Sequence, residues 1–495
     1  MDFYRILSRL TKTGERELYP EFVIGRSKDL MVRGRSFYAI WDEETGLWSR
    51  DEYDVQRIVD DDLQHEADET KIPKSRVKFL RNFNSQGWTQ FKKFIAQIGD
   101  NSHQLDSKVT FNDTEVQKGD YVSRKLPYRL EEGDISAWDE LVGTLYSVEE
   151  RAKIEWAIGS IVAGDSKNIQ KFFVFYGPAG SGKSTILNII EKLFEGYTTT
   201  FEGAALGRSD SQFATESFKH NPLVAIQHDG DLSKLEDNSR LNSIISHEYM
   251  TMNEKYKASY TSRADAMLFI GSNQPVRISD AKSGLIRRLI DVHPSQVRIP
   301  VRHYNTLMAQ IDFELGAIAA HCQKVYLEMG KNYYNDYRPL EMMLQTDVFF
   351  NFIEAYYDVF KARDCITLKD AYAMYKEYCT DAGITRPLPQ YKMREELRNY
   401  FDDFKDRAEW EGERVRSLYC GFNAEKFKSP KGGEIDEKRA FSLVMDETVS
   451  IFDKAFARQP AQAATEDGVP ESKWANVTTT LSDIDTSQLH FVKVP

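Results

Sequence analysis

Gly177-Pro-Ala-Gly-Ser-Gly-Lys183-Ser184 stands between an apolar run, Lys171-Phe-Phe-Val-Phe-Tyr176, and a helix-patterned run, Thr185-Ile-Leu-Asn-Ile-Ile190. A strand, a glycine-rich loop and a helix in that order form a phosphate cradle. The glycines let successive backbone N–H groups turn inward, and the helix adds the positive end of its dipole. The expected nucleotide-binding set is Gly177, Pro178, Ala179, Gly180, Ser181, Gly182, Lys183, Ser184 and Thr185. Lys183 is positioned to reach the β- and γ-phosphates of a nucleoside triphosphate, and Ser184 to ligate Mg²⁺. ATP and Mg²⁺ are the cofactors this stretch implies.

The rest of a hydrolytic site is sought downstream. Leu223-Val-Ala-Ile-Gln-His-Asp229 reads as a strand ending in a carboxylate that can hold Mg²⁺ and orient water; Asp229 is the first candidate and Asp231 the reserve. A blander reading makes Asp229 a helix cap. Another apolar strand, Ala266-Met-Leu-Phe-Ile-Gly271, leads to Asn273, whose amide can bond both γ-phosphate and attacking water, or simply start the turn before Pro275. Beyond it, Gly284-Leu-Ile-Arg287-Arg288-Leu-Ile offers two guanidinium groups suited to an adjacent subunit's γ-phosphate.

Composition sets the frame. A chain of 495 residues exceeds one core and suggests roughly three domains. No apolar run has the length of a membrane span, and Met1-Asp-Phe-Tyr-Arg5 lacks the layout of a signal peptide, so a cytoplasmic protein without membrane contact is expected. Cys322, Cys365, Cys379 and Cys420 are scattered without a CxxC pair, which fits free thiols in a reducing compartment and no structural metal. With a net charge of −12, any nucleic-acid contact must come from a local basic patch.

The predicted class is α/β, with a parallel-sheet core over residues 170–300, where apolar strands alternate with polar helices. An N-terminal α+β unit covers 1–130 and includes a hairpin over 36–50, with Trp41 and Trp48 on either side of Glu44-Thr-Gly46. Residues 131–169 form a helical block, with Ile135, Trp138, Leu141, Leu145, Ile154, Trp156, Ile158 and Ile161 at helical spacing. A helical connector (301–345) follows. A unit over 346–425 then has a helix at Thr367–Cys379, a short second helix within Pro387–Tyr400 and a strand at Val415–Phe422. The tail, 426–495, is expected to be mostly disordered.

In their order, these parts resemble a superfamily 3 (AAA+) helicase: glycine loop, carboxylate strand, the lysine-bearing segment Asn253-Glu-Lys255-Tyr-Lys257-Ala-Ser-Tyr260-Thr-Ser-Arg263, Asn-ended strand and Arg pair. Outside this window the chain is more weakly similar to phage and poxvirus primase-associated helicases. The resemblance implies an ATP-hydrolysing, ring-forming DNA helicase of a phage or mobile element, working in the host cytoplasm as a homo-oligomer, hexameric in the family. The resemblance also implies action on single-stranded DNA or a forked duplex, with a primase or polymerase as a partner. Carried over residue by residue, Lys183, Asp229, Asn273, Arg288 and Arg287 form the catalytic set, Arg288 being the first choice for the finger. Ser184 and Asp229 are the metal ligands, Lys255 and Lys257 grip DNA, and Tyr260 packs against a sugar or base. One departure is His228 beside Asp229, where many members carry two acids, leaving open whether Asp229 or Asp231 is the base. No acidic primase motif is evident.

The unit from Cys365 to Phe422 has winged-helix order. Arg386 to Arg416 nonetheless holds eight basic and eight acidic residues, a neutral balance that makes a poor nonspecific DNA clamp. Two other functions stay open on these residues: an origin-binding initiator or loader ATPase without processive unwinding, and a nucleotide-hydrolysing protein with no nucleic-acid partner.

Overall fold

A computed structural model describes residues 1–424 except 24, 26, 82–84, 208–210, 232–238, 256, 277–283, 341, 344–346, 382–383, 385–386 and 411. The chain divides into a unit of Met1–Glu434 and one of Ile435–Pro495, and the described residues all belong to the first. The expected disordered tail, 426–495, lies outside the described residues.

The N-terminal part is mixed α and β. Strands β1 (Tyr4–Leu10) and β2 (Arg16–Phe22) pair antiparallel. Strands β3 (Leu30–Arg33), β4 (Ser36–Asp42) and β5 (Leu47–Ser49) form a second antiparallel sheet. The hairpin read from sequence is β4–β5: Trp41 faces Trp48 in register, with the rings edge-on at 5.8 Å. Helix α1 (Glu52–Thr70) starts where the Asp51 side chain accepts a bond from the Tyr53 N–H. Its Val55, Val59, Leu63 and Ala67 recur at helical spacing and share one core with Trp88, Phe91 and Phe94 of α2 (Gln86–Gln97).

The helical block is two helices, α3 (Ser136–Leu145) and α4 (Val148–Val162), separated at Ser147, whose hydroxyl accepts from the Glu150 N–H at 3.3 Å. Next come β6 (Phe172–Tyr176), α5 (Lys183–Leu193), β7 (Thr198–Thr200), α6 (Gly203–Leu206), β8 (Val224–Gln227) and α7 (Ser239–Ile245). A small antiparallel pair follows, β9 (Met250–Met252) with β10 (Tyr260–Ser262), then β11 (Met267–Ser272) and β12 (Leu289–Val292). The central sheet has five strands in the order β12-β6-β11-β8-β7, every pairing parallel.

Alternation along β6 divides its residues between two cores. Phe173 and Phe175 join the core shared with α3, α4, α5 and α8 (Val301–Met329), while Phe172 and Val174 face the core that includes α7 and the C-terminal elements. Burial on both faces is why this strand reads as an unbroken apolar run. Beneath α3, the Glu155 carboxylate accepts from the Trp138 indole at 2.9 Å and from Arg151 Nε at 2.7 Å, with His321 Nε2 of α8 at 3.2 Å. Burial alone would raise its pKa, but these partners outweigh it and hold the carboxyl down at about 2.

After α8 come α9 (Val348–Ala355), α10 (Tyr357–Ala362), β13 (Cys365–Thr367), α11 (Leu368–Asp381), α12 (Gln390–Leu397), β14 (Phe401–Trp410) and β15 (Glu413–Phe422), with strand order β13-β15-β14. One expectation is corrected here, and one strand is new. Cys365 and Cys420 are not free: they face each other in the antiparallel register of β13 and β15 and form a disulfide, while Cys322 and Cys379 are buried thiols. A separation of 55 residues leaves no sequence mark of a bridge that strand pairing creates. The unforeseen strand is β14, Phe-Asp-Asp-Phe-Lys-Asp-Arg-Ala-Glu-Trp; its charged residues are mostly exposed, and it is held by its ladder with β15 rather than by burial.

Candidate functional site at the carboxyl ends of the sheet

Strand order places the candidates. In an open parallel sheet, ligands bind beyond the carboxyl ends of strands where the order of connection reverses. Here β6, the first strand of the sheet in sequence, lies between β12 and β11, the last two. The glycine loop leaves β6, Asn273 follows β11 and Asp229 follows β8, so three segments far apart in sequence end side by side.

The loop has the backbone that its glycines permit. Gly180 and Gly182 adopt φ of +78° and +99°, and α5 starts at Lys183. Lys183 is 7% exposed, and its ammonium donates to Gly177 O at 2.7 Å, Pro178 O at 2.8 Å and Asn273 Oδ1 at 2.8 Å. Burial lowers its pKa, and Asp229 pulls in the opposite direction. Ser184, Asp229 and Asn273 are exposed at this edge, and Thr185 is half-buried. The turn carrying Asp229 rests against β11: Gly230 N donates to Gly271 O at 2.7 Å, and a Cβ at Gly271 would come within 2.5 Å of His228 O. His228 Nε2 is 3.6 Å from Glu191 Oε2 of α5, so this imidazole faces a carboxylate.

The donor set fits a triphosphate and its cation. Ser181 Oγ is buried without a hydrogen-bond partner, an orphaned polar atom inside the loop, and Gly180 borders open space. Ser184 and Asp229 offer a hydroxyl and a carboxylate of the kind Mg²⁺ takes alongside phosphate oxygens and water.

The two arginines lie at the opposite end of the sheet. Leu289 is in register with Phe172, which puts Arg287 and Arg288 level with Lys171, about 20 Å from the glycine loop at ~3.3 Å per residue. Lys171 Nζ donates to Arg287 O at 2.5 Å. Arg287 is exposed. Arg288, the first choice from sequence, is 7% exposed; its guanidinium donates to Gly284 O at 2.8 Å and Ser246 Oγ at 2.7 Å. A Cβ at Gly284 would lie 2.5 Å from Arg288 Nη1. Burial lowers the pKa of Arg288, and the charge of Arg287 adds to this.

Around the lysine-bearing segment, β9 and β10 form the stem of a hairpin. Lys255 and Lys257 are exposed on its connection, Lys257 Nζ lying 3.0 Å from Glu254 Oε2. Tyr260, which the resemblance sets against a sugar or base, is 8% exposed under the hairpin and donates its hydroxyl to Glu254 Oε1 at 2.8 Å. The N-terminal β3–β4 turn abuts the same connection: a Cβ at Gly34 would fall 2.7 Å from Ala258 O.

Sequence reasoning missed one side of the site altogether. Leu145, Val297, Arg298, Ile299 and Tyr304 line a cavity of about 300 Å³ together with the glycine loop. They form no motif, and only the fold brings the end of α3 and the start of α8 over the loop.

The profile of a family of unknown function (DUF5906) matches residues 175–288, from the end of β6 to Arg288. Among solved structures, the apo structure of the NrS-1 C-terminal region (305–718) is similar at 14% identity and a TM-score of 0.40, covering 66% of this chain and 85% of that one. The A-form apo structure of the same region gives 14% and 0.40, covering 77% and 93%. Among the described residues, no helix is long and apolar enough to cross a membrane.

Proposed function

We propose that this protein is an ATP-hydrolysing motor of the superfamily 3 helicase type that acts on single-stranded DNA, serving replication of a phage or mobile element. The observation that carries the reading is the bond between Lys183 and Asn273, 90 residues apart and joined at 2.8 Å where β6 and β11 end. An amide at that position can report the state of the γ-phosphate to β11. When a triphosphate binds, Lys183 exchanges the carbonyls of Gly177 and Pro178 for phosphate oxygens. Ser184 and Asp229 would hold Mg²⁺, which would supply neutralisation of phosphate charge, and Asp229, or Asp231, would orient the attacking water.

The Arg pair is too far from the loop to serve its own chain, which supports action on a neighbouring copy in a ring. We assign the finger to Arg287, exposed, with Arg288 as the anchor that fixes the segment. Lys255 and Lys257 supply the local positive charge needed by a chain of net charge −12.

The test is steady-state ATP hydrolysis with Mg²⁺, with and without single-stranded DNA, followed by unwinding of a forked duplex. Stimulation by DNA and strand separation are expected. Hydrolysis indifferent to DNA refutes the motor reading, and stimulation without strand separation favours an initiator or loader.

A further inference from the structure

The cavity over the glycine loop has a roof as well as a floor. Leu145, the last residue of α3, sits on the loop's last glycine: a Cβ at Gly182 would meet its two methyl groups at 3.0 and 3.1 Å. From there the roof is tied down along its length. Ser295 donates its N–H to Leu145 O at 2.7 Å and its hydroxyl to Thr144 O at 2.8 Å, and Tyr146 bridges Pro294. His303, in the first turn of α8, is bonded to Glu140 of α3. Ile299 lies between these ties, and Tyr304 directly follows the second. Both are partly buried against the core that includes Leu145, and the Tyr304 N–H is fixed on Pro300 O at 2.9 Å.

We infer that this roof is the base-binding half of the site, with Tyr304 stacking on the heteroaromatic base of a bound nucleoside triphosphate and Leu145 and Ile299 enclosing it. The inference rests on the nucleotide reading of the glycine loop and extends it to residues that no motif marks. Its physical basis is a division of labour. The loop offers N–H groups, an ammonium and hydroxyls, which suit phosphate. The roof offers an aromatic ring and aliphatic side chains, which suit a flat, weakly polar ring, and Arg298 between Val297 and Ile299 adds one cation to this lining. A cavity of about 300 Å³ bounded by both can take the two ends of one ligand. Since the roof is pinned to α3, little order has to be gained on binding, which favours affinity.

The experiment measures affinities of the full chain, without turnover, for ATP and for inorganic tripolyphosphate, a ligand with no base, by competition against a ribose-labelled fluorescent ATP analogue. Tyr304→Ala is expected to weaken ATP about ten-fold while leaving tripolyphosphate unchanged, the size of effect that loss of one aromatic–base stack gives. Tyr304→Phe is expected to bind both as the wild type does. Wild-type ATP affinity in Tyr304→Ala overturns the inference, as does a parallel loss of both ligands, which marks damage to the loop. A wild-type chain that binds tripolyphosphate but gains nothing from the base overturns the roof assignment and leaves the phosphate cradle intact. A wild-type chain that binds neither removes the nucleotide reading itself.

Discussion

The two ends of the parallel sheet each bury a cation to the same extent, and they use it differently. Lys183 and Arg288 are both 7% exposed, and burial lowers the pKa of both. Lys183 is bonded to two carbonyls of a glycine loop that borders open space and to an exposed asparagine, all partners that a phosphate can replace without leaving a packed core. Arg288 is bonded to the backbone carbonyl of Gly284 in its own turn and to the Ser246 hydroxyl, and a Cβ at Gly284 would already lie 2.5 Å from its Nη1. The lesson is that burial of a cation does not by itself make it functional; what distinguishes the two is whether its partners can be exchanged.

The largest test of that contrast removes each cation. Lys183→Ala is expected to abolish ATP binding and hydrolysis while the thermal transition stays near that of the wild type. Arg288→Ala is expected to lower stability by about 2 kcal/mol, since it strips a buried hydrogen-bonding group from its partners. If Arg288→Ala melts as the wild type does and only turnover falls, the anchor assignment fails. Next comes Arg287→Ala. It is expected to reduce hydrolysis by about 10³-fold or more, the effect of a lost finger, with nucleotide binding and melting unchanged. Normal turnover in this variant removes the inter-subunit role.

A third prediction tests the helical layer below the site. With its pKa depressed to about 2, Glu155 stabilises the fold above about pH 4.5, by ~3 kcal/mol at 1.36 kcal/mol per unit. Glu155→Gln should therefore cost about that much at pH 7, with the gap from wild type closing as pH falls from about 4.5 toward about 2. Urea titrations at pH 7, 4 and 3 read it directly; a gap that does not change with pH refutes it. The smallest effect concerns the hairpin. Lys257→Ala is expected to leave basal hydrolysis untouched and to reduce the salt dependence of single-stranded DNA binding by about one phosphate contact. An unchanged salt slope separates Lys257 from DNA.

How much of this was legible beforehand follows from where each signal resides. The glycine loop was readable because its chemistry is contiguous, Gly177 to Ser184. Asp229 and Asn273 were readable because each ends an apolar strand, and a parallel sheet aligns such ends. The difference between Arg287 and Arg288 was not, since two adjacent identical residues part only when the fold turns one inward. Tyr304 and Leu145 were invisible for a related reason: they lie 159 residues apart (304 − 145) and meet only through the ties between α3 and α8. The strand β14 escaped because alternation of apolar residues, the usual mark, is replaced there by charge.

The contact between Gly34 and Ala258 has a mechanical consequence. With no clearance even for a methyl group, the N-terminal sheet and the hairpin connection touch backbone to backbone. On the proposed motor reading, a stroke of the hairpin would either drag the first hundred residues along or peel away from them, and a probe pair spanning positions 34 and 258 would then register turnover as a change in distance.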